Sequence, residues 1–278
     1  MKFNVGCKLS YSIHQPSTLI FNLKVIQNDY QNILKETLEV DPPLDREEYG
    51  LSFVENQYFR INAPLGKLSV SYNATVELSH VYVESETVQE VPPAELPLEV
   101  LPYLYPSRYC QSDKLGNMAQ SEFGDLQPGF SRVTAICNWI YEKVEYLSGS
   151  TDSQTSAYDT ATQRAGVCRD FAHLGIAFCR ALNIPARFVA GYAYNLTPPD
   201  FHAYFEAYLS DRWYIFDATR LAPQSGLIRI GTGRDAADVA FATFFGAVQP
   251  EEMEVFAHQV FEPGVKAPAF TTRAIATS

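Results

Sequence analysis

Gly166-Val167-Cys168-Arg169-Asp170-Phe171-Ala172-His173-Leu174 opens a helix. Phe171, Leu174, Phe178 and Leu182 recur at spacings of three and four and form one apolar stripe. Asn183-Ile184-Pro185 marks its end. Cys168 therefore falls in the first turn, where unpaired backbone N–H groups and the positive end of the helix dipole favour a thiolate over a thiol. A cysteine elsewhere is ordinarily a small buried hydrophobe, so a nucleophile needs partners, and these lie downstream.

Residues 202–220 read as two aromatic-rich strands, His-Ala-Tyr-Phe-Glu-Ala-Tyr-Leu and Arg-Trp-Tyr-Ile-Phe-Asp-Ala-Thr-Arg, around Ser210-Asp211. A two-residue loop there pairs Leu209 with Arg212 and Tyr204 with Asp217, so His202 and Asp217 point to one sheet face. They become diagonal neighbours roughly 7–8 Å apart between backbones. A three-residue loop would send them to opposite faces. A thiol needs a base to hold it ionised and to protonate the leaving amine, and the base needs a partner that fixes its tautomer. Cys168, His202 and Asp217 supply these residue types in that order.

Towards the amino terminus the pattern changes. Residues 1–85 hold short runs such as Leu19–Val25 and the alternating Leu68–Leu78, separated by breaks at Gln15-Pro16-Ser17, Asp41-Pro42-Pro43 and Asn62–Gly66. These read as an antiparallel β-sandwich domain. Residues 86–128 read as a linker on the strength of Pro92, Pro93, Pro97, Pro102 and Pro106. The helical spacing of Val133, Ile136, Cys137, Ile140 and Val144 begins a second domain, 129–278. The fold class is α+β.

The chain has 278 residues, of which 46% are hydrophobic and 19% charged, as in a soluble globular protein. A net charge of -11 argues against nucleic acid or an anionic membrane as partner. The start, Met1 to Ser10, has no apolar run of signal-peptide length, and the five scattered cysteines include no CxxC pair. A cytoplasmic protein with free thiols is expected, without metal or cofactor. Oligomeric state is not legible.

The chain resembles the transglutaminase-like superfamily of cysteine enzymes, in particular bacterial members with a β-sandwich amino-terminal region. The resemblance rests on Tyr103–Tyr109, Gly166–Leu174, Ile184–Tyr192, His202-Ala203 with Glu206, Trp213–Thr219 and Gly233–Ala240. It implies a papain-like core of helices packed on an antiparallel sheet, with Cys168 as nucleophile, His202 as base and Asp217 as orienting carboxylate. It implies acyl transfer on a peptide or other amide substrate through a thioester, most simply hydrolysis by a cysteine protease or amidase. A protein-glutamine transglutaminase and a non-catalytic binding module are the alternatives. The Cys168 backbone N–H is one natural oxyanion donor, and Gln163 and Tyr146 are candidates for the second by chain position.

Other residues read as structural. His173, five positions after Cys168, faces another side of the helix, and Cys179 is about 16 Å along it from Cys168. Cys7, Cys110, Cys137, His14, His80 and His258 show no metal-ligand spacing. Gly231–Asp235 lacks the context of a phosphate loop. It reads as a turn in which Asp235 caps a short helix through Val239 and Ala242, and the resemblance implies that Arg234 and Asp238 brace the active-site face. Arg169 and Asp170 are expected to support the nucleophile or lie at the surface.

Overall fold

The computed structural model describes residues 1–51 and 55–277. The amino-terminal part runs through β1 (Lys2–Ile13), β2 (Ser17–Phe21), β3 (Gln31–Asp41), β4 (Arg46–Leu51), β5 (Asn56–Ala63), β6 (Gly66–Leu78) and β7 (Val81–Val83). Strict alternation explains why these are strands: in β1, Phe3, Val5, Cys7, Leu9, Tyr11 and Ile13 all point inward and are buried. The next part carries α1 (Ser112–Phe123), α2 (Phe130–Lys143), β8 (Glu145–Tyr146), α3 (Ala157–Gln163), β9 (Ala165–Gly166) and α4 (Cys168–Ala181). It continues with β10 (Ala186–Ala193), β11 (His202–Leu209), β12 (Arg212–Phe216), β13 (Leu227–Gly233), β14 (Ala242–Phe245), β15 (Val248–Gln259) and β16 (Ala274–Ala276).

Two antiparallel sheets, ordered β15-β1-β6-β3 and β14-β2-β5-β4, enclose a core that includes Phe3, Leu9, Phe21, Phe59, Val70 and Tyr72. This is the expected sandwich, but it is not confined to residues 1–85. Strands β14 and β15, from beyond residue 241, complete its two sheets. Pairing between β1 and β15 runs from Phe3↔Gln259 to Ile13↔Val248. A boundary drawn on composition misses this, because the linear pattern does not reveal which strand a distant strand will pair with.

The segment expected as a linker is also more structured than its prolines suggest. It has three short 3₁₀ turns and then α1, whose Leu115, Ala119 and Phe123 are buried against the helical core. Prolines dominate only its first half, whereas Leu115, Ala119 and Phe123 of the second half recur at helical spacing.

The central sheet, ordered β13-β10-β11-β12-β16-β7, carries α4 on one face. Ala203, Phe205, Ala207 and Leu209 of β11 share a core with Phe171, Leu174 and Phe178 of α4. Helix and strand approach closely because Gly175 has no side chain: a Cβ there would come within 2.5 Å of the Phe205 ring. The edge strand β13 is covered by the sandwich. Gln31 donates to the Arg229 carbonyl at 2.8 Å and accepts from its N–H at 2.8 Å. Asn56 does the same for Thr232, again at 2.8 Å each. Two side-chain amides thus imitate a neighbouring strand and leave β13 no open edge there.

The short helix expected after Asp235 does not form. The Asp235 carboxylate accepts from Ala237 N–H at 2.9 Å and its carbonyl from Asp238 N–H at 3.1 Å, which closes a turn before β14. The other Asp235 oxygen holds the Tyr109 N–H at 2.8 Å, so its demand is met without a helix.

Candidate active site

Cys168 is the first residue of α4, and Asp170 fixes that turn. Its fully buried carboxylate accepts from the Val167 N–H at 2.9 Å and the Thr151 hydroxyl at 2.8 Å. Arg169 pairs with its other oxygen at 3.1 Å and donates to the Asp152 carbonyl at 2.6 Å. Gly166 makes room for this cap, since a Cβ there would lie 2.8 Å from that of Asp170. The loop before α3 and the turn that carries Cys168 are therefore tied into one unit.

Across from it, β11 and β12 adopt the register expected of a two-residue loop, with Leu209 opposite Arg212 and Phe205 opposite Phe216. Ser210 and Asp211 take φ of 42° and 58°, the left-handed pair that a tight hairpin requires. The turn is anchored by Gln89, which exchanges hydrogen bonds with Ser210 at 2.8 and 2.9 Å. His202 and Asp217 consequently meet: Nε2 lies 2.7 Å from the Asp217 carboxylate. The second Asp217 oxygen accepts from the Thr219 N–H at 2.9 Å and hydroxyl at 2.7 Å, which aims the carboxylate at the ring.

With Nε2 taken, the buried Nδ1 has no hydrogen-bond partner, and the Cys168 thiol is near enough to the ring to raise its pKa. Burial alone would depress the imidazole, but the Asp217 charge and hydrogen bond, helped by Cys168, outweigh it and raise His202 to about 10. The ring is held as an imidazolium beside the sulfur. Cys168 also differs from the other cysteines. All five are free, but Cys7, Cys110, Cys137 and Cys179 are buried, and burial pushes their thiols up, to about 11 for Cys7 and about 12 for Cys110.

The two candidates for a second oxyanion donor separate. The Tyr146 hydroxyl lies beside the Cys168 backbone N–H and thiol, close enough for both to shift its pKa. Burial first, and then the neighbouring Cys168, push the phenol up to about 12, so it remains a protonated donor. Gln163 sits exposed on the last residue of α3 and makes no hydrogen bond to Cys168, His202 or Asp217. Proximity in sequence misleads here because Arg164, in the left-handed conformation, turns the chain away at that point.

His173 is structural, as expected. It is fully buried between Tyr109 and Phe188 and accepts from the Ala236 N–H at 3.1 Å, and burial holds its pKa well below the usual value. Arg234 and Asp238 form an exposed ion pair at 3.0 Å that braces the turn before β14. No cluster able to hold a metal ion is present among the described residues.

The transglutaminase-like superfamily profile matches residues 117–218, and the profile of the bacterial transglutaminase N-terminal domain matches residues 1–99. A solved protein of Cytophaga hutchinsonii, provisionally named a cysteine protease, is 47% identical, superposes with a TM-score of 0.92, and is matched over 99% of this chain and 97% of its own. The chain belongs to the transglutaminase-like superfamily.

Among curated relatives in which the similarity recurs, an uncharacterized Mycobacterium leprae protein is 33% identical over 117 residues, 39% of this chain. The chain spans only 42% of that relative's length. An uncharacterized Mycobacterium tuberculosis protein is 28% identical over 241 residues, 75% of each chain. Within this transglutaminase-like fold, several supporting residues escape a linear reading. Thr219 aims Asp217 from two positions away. Arg180, buried in α4, donates to the carbonyls of Ala186 at 2.8 Å and Tyr105 at 3.0 Å and to Ser107 at 3.0 Å, tying the Tyr103–Tyr109 stretch to the far end of α4. An Asp followed two residues later by Thr is a recognisable turn signal, whereas nothing marks Arg180 as buried.

Proposed function

We propose that the chain is a thiol-dependent hydrolase of peptide or other amide bonds, with Cys168 as nucleophile, His202 as acid and base, and Asp217 as the carboxylate that orients the ring. The observation that carries this reading is the 2.7 Å contact of Asp217 with His202 Nε2, which leaves Nδ1 for the thiol. Cys168 Sγ adds to the amide carbonyl, and the oxyanion receives the Cys168 N–H, with the Tyr146 hydroxyl as the second donor. His202 gives its Nδ1 proton to the departing amine as the C–N bond breaks, leaving a thioester. Water then adds to the thioester, His202 accepts its proton, and the acid leaves as the thiolate re-forms. The relative named as a cysteine protease supports the same chemistry.

An amine in place of water would make the second half-reaction a transamidation. Incubating a glutamine-containing peptide with and without an added primary amine, and reading products by mass spectrometry, separates the two. Hydrolysis is expected in both tubes, and an amine adduct as the major product would overturn it. Unchanged turnover in Cys168→Ala would remove the enzymatic reading altogether.

A further inference from the structure

A cleft of about 650 Å³ opens beside the site, and Asp217 forms part of its wall. Its apolar surface comes from Phe130, Phe216 and Phe270, and its polar surface mainly from hydroxyls and amides such as Thr134 and Thr271. Arg220 also lines it, three residues beyond Asp217. This exposed guanidinium is held on α2 by two contacts: it donates to the Asn138 carbonyl oxygen and lies 4.2 Å from the centre of the Tyr141 ring. Its backbone takes a φ of 55°, a left-handed conformation that disfavours a non-glycine residue. No carboxylate lies within ion-pair range of it among the described residues, although Glu86 lines the same cleft.

An arginine offers five N–H donors in a fixed plane, and Asn138 occupies one. Stacking on Tyr141 orders that plane in advance, which lowers the entropy cost of a bidentate contact. In a chain of net charge -11, a preordered guanidinium with no ion-pair partner, in a cleft that shares Asp217 with the site, is a specific attractor for one kind of ligand.

We infer that Arg220 binds a carboxylate of the substrate in this cleft, so that the preferred amides carry a carboxylate close to the bond that reacts. The inference rests on the hydrolase reading and narrows its substrate class. A terminal carboxylate and an acidic side chain offer the same chemistry.

Three peptides separate these sources: acetyl-Ala-Gln-Ala with a free carboxyl terminus, the same peptide as its terminal amide, and acetyl-Ala-Gln-Glu amide. Their binding to the full-length Cys168→Ala chain is measured by calorimetry. One carboxylate-bearing peptide is expected to bind about tenfold or more tightly than the neutral one, and which one identifies the source. Arg220→Gln should abolish the difference and Arg220→Lys retain part of it, with unchanged melting temperatures as the folding control. Equal binding of all three, absence of binding, or a preference that survives Arg220→Gln overturns the inference. Because the Cys168→Ala chain cannot turn over, failure of the hydrolase reading shows separately, as wild-type protein that cleaves none of the peptides.

Discussion

Replacing Asp217 by Asn keeps the size of the side chain and removes its charge, and the structure sets how much should follow. Asp217 is the main reason that the buried His202 is held at about 10 rather than below its ordinary 6.5. Without that charge, burial is no longer outweighed, and the carboxylate of Asp200, itself raised by burial, is the remaining acid facing the ring. At 6.5 or below, only about a quarter or less of the imidazole would be protonated at pH 7, against essentially all of it in the native protein. The imidazolium beside the Cys168 sulfur is then mostly lost.

Alkylation of Cys168 by iodoacetamide, followed by peptide mass spectrometry from pH 4 to 10, reads this directly. The native protein should react faster than Asp217→Asn at neutral pH, because its His202 is held as an imidazolium beside the sulfur. Amide turnover at pH 7 should fall by about 10²–10⁴-fold. The sign for stability follows from the raised histidine: its contribution is complete below 6.5 and lost as pH rises through about 10. The alkaline loss of stability should therefore be smaller in the variant. Alkylation profiles that coincide, with turnover within twofold, would refute the coupling of Asp217 to the thiol through His202.

Three further substitutions test the scaffold around the site. Asp170→Ala removes the acceptor of the Val167 N–H and the Thr151 hydroxyl and leaves Arg169 without its carboxylate, so chemical denaturation should show a loss of about 1–3 kcal/mol together with slower Cys168 alkylation. Gly175→Ala places a methyl group within 2.5 Å of Phe205 and should cost about 1–3 kcal/mol, visible as a lowered melting temperature. Asn56→Ala uncovers the Thr232 N–H and carbonyl at the β13 edge and should cost about 1–3 kcal/mol, with faster hydrogen exchange at Thr232 than in the native chain.

The site was legible where local rules govern it. A cysteine at a helix start and a hairpin of definite loop length follow from neighbours in sequence, and side-chain parity along a strand is two, so His202 and Asp217 could be placed on one face without coordinates. Tyr146 and Gln163 could not be told apart this way. Both precede Cys168, and only the pairing of β8 with β9, with Tyr146 opposite Gly166, brings one of them to Cys168. The domain boundary failed for a related reason: β14 and β15 carry ordinary strand patterns, and their partners lie more than two hundred residues away.

The α+β class, the sandwich at the amino terminus, the helix that Cys168 opens and the register of the His202–Asp217 hairpin follow from local patterns in the sequence. Periodicity and turn chemistry act over a few residues, so they are written locally. Long-range packing instead set the completion of the sandwich by β14 and β15, the covering of β13 by Gln31 and Asn56, the approach of Tyr146 rather than Gln163 to Cys168 and the exposure of Arg220 in its cleft. Those depend on which distant surfaces exclude water together, and a buried polar group takes whichever partner that packing brings within reach.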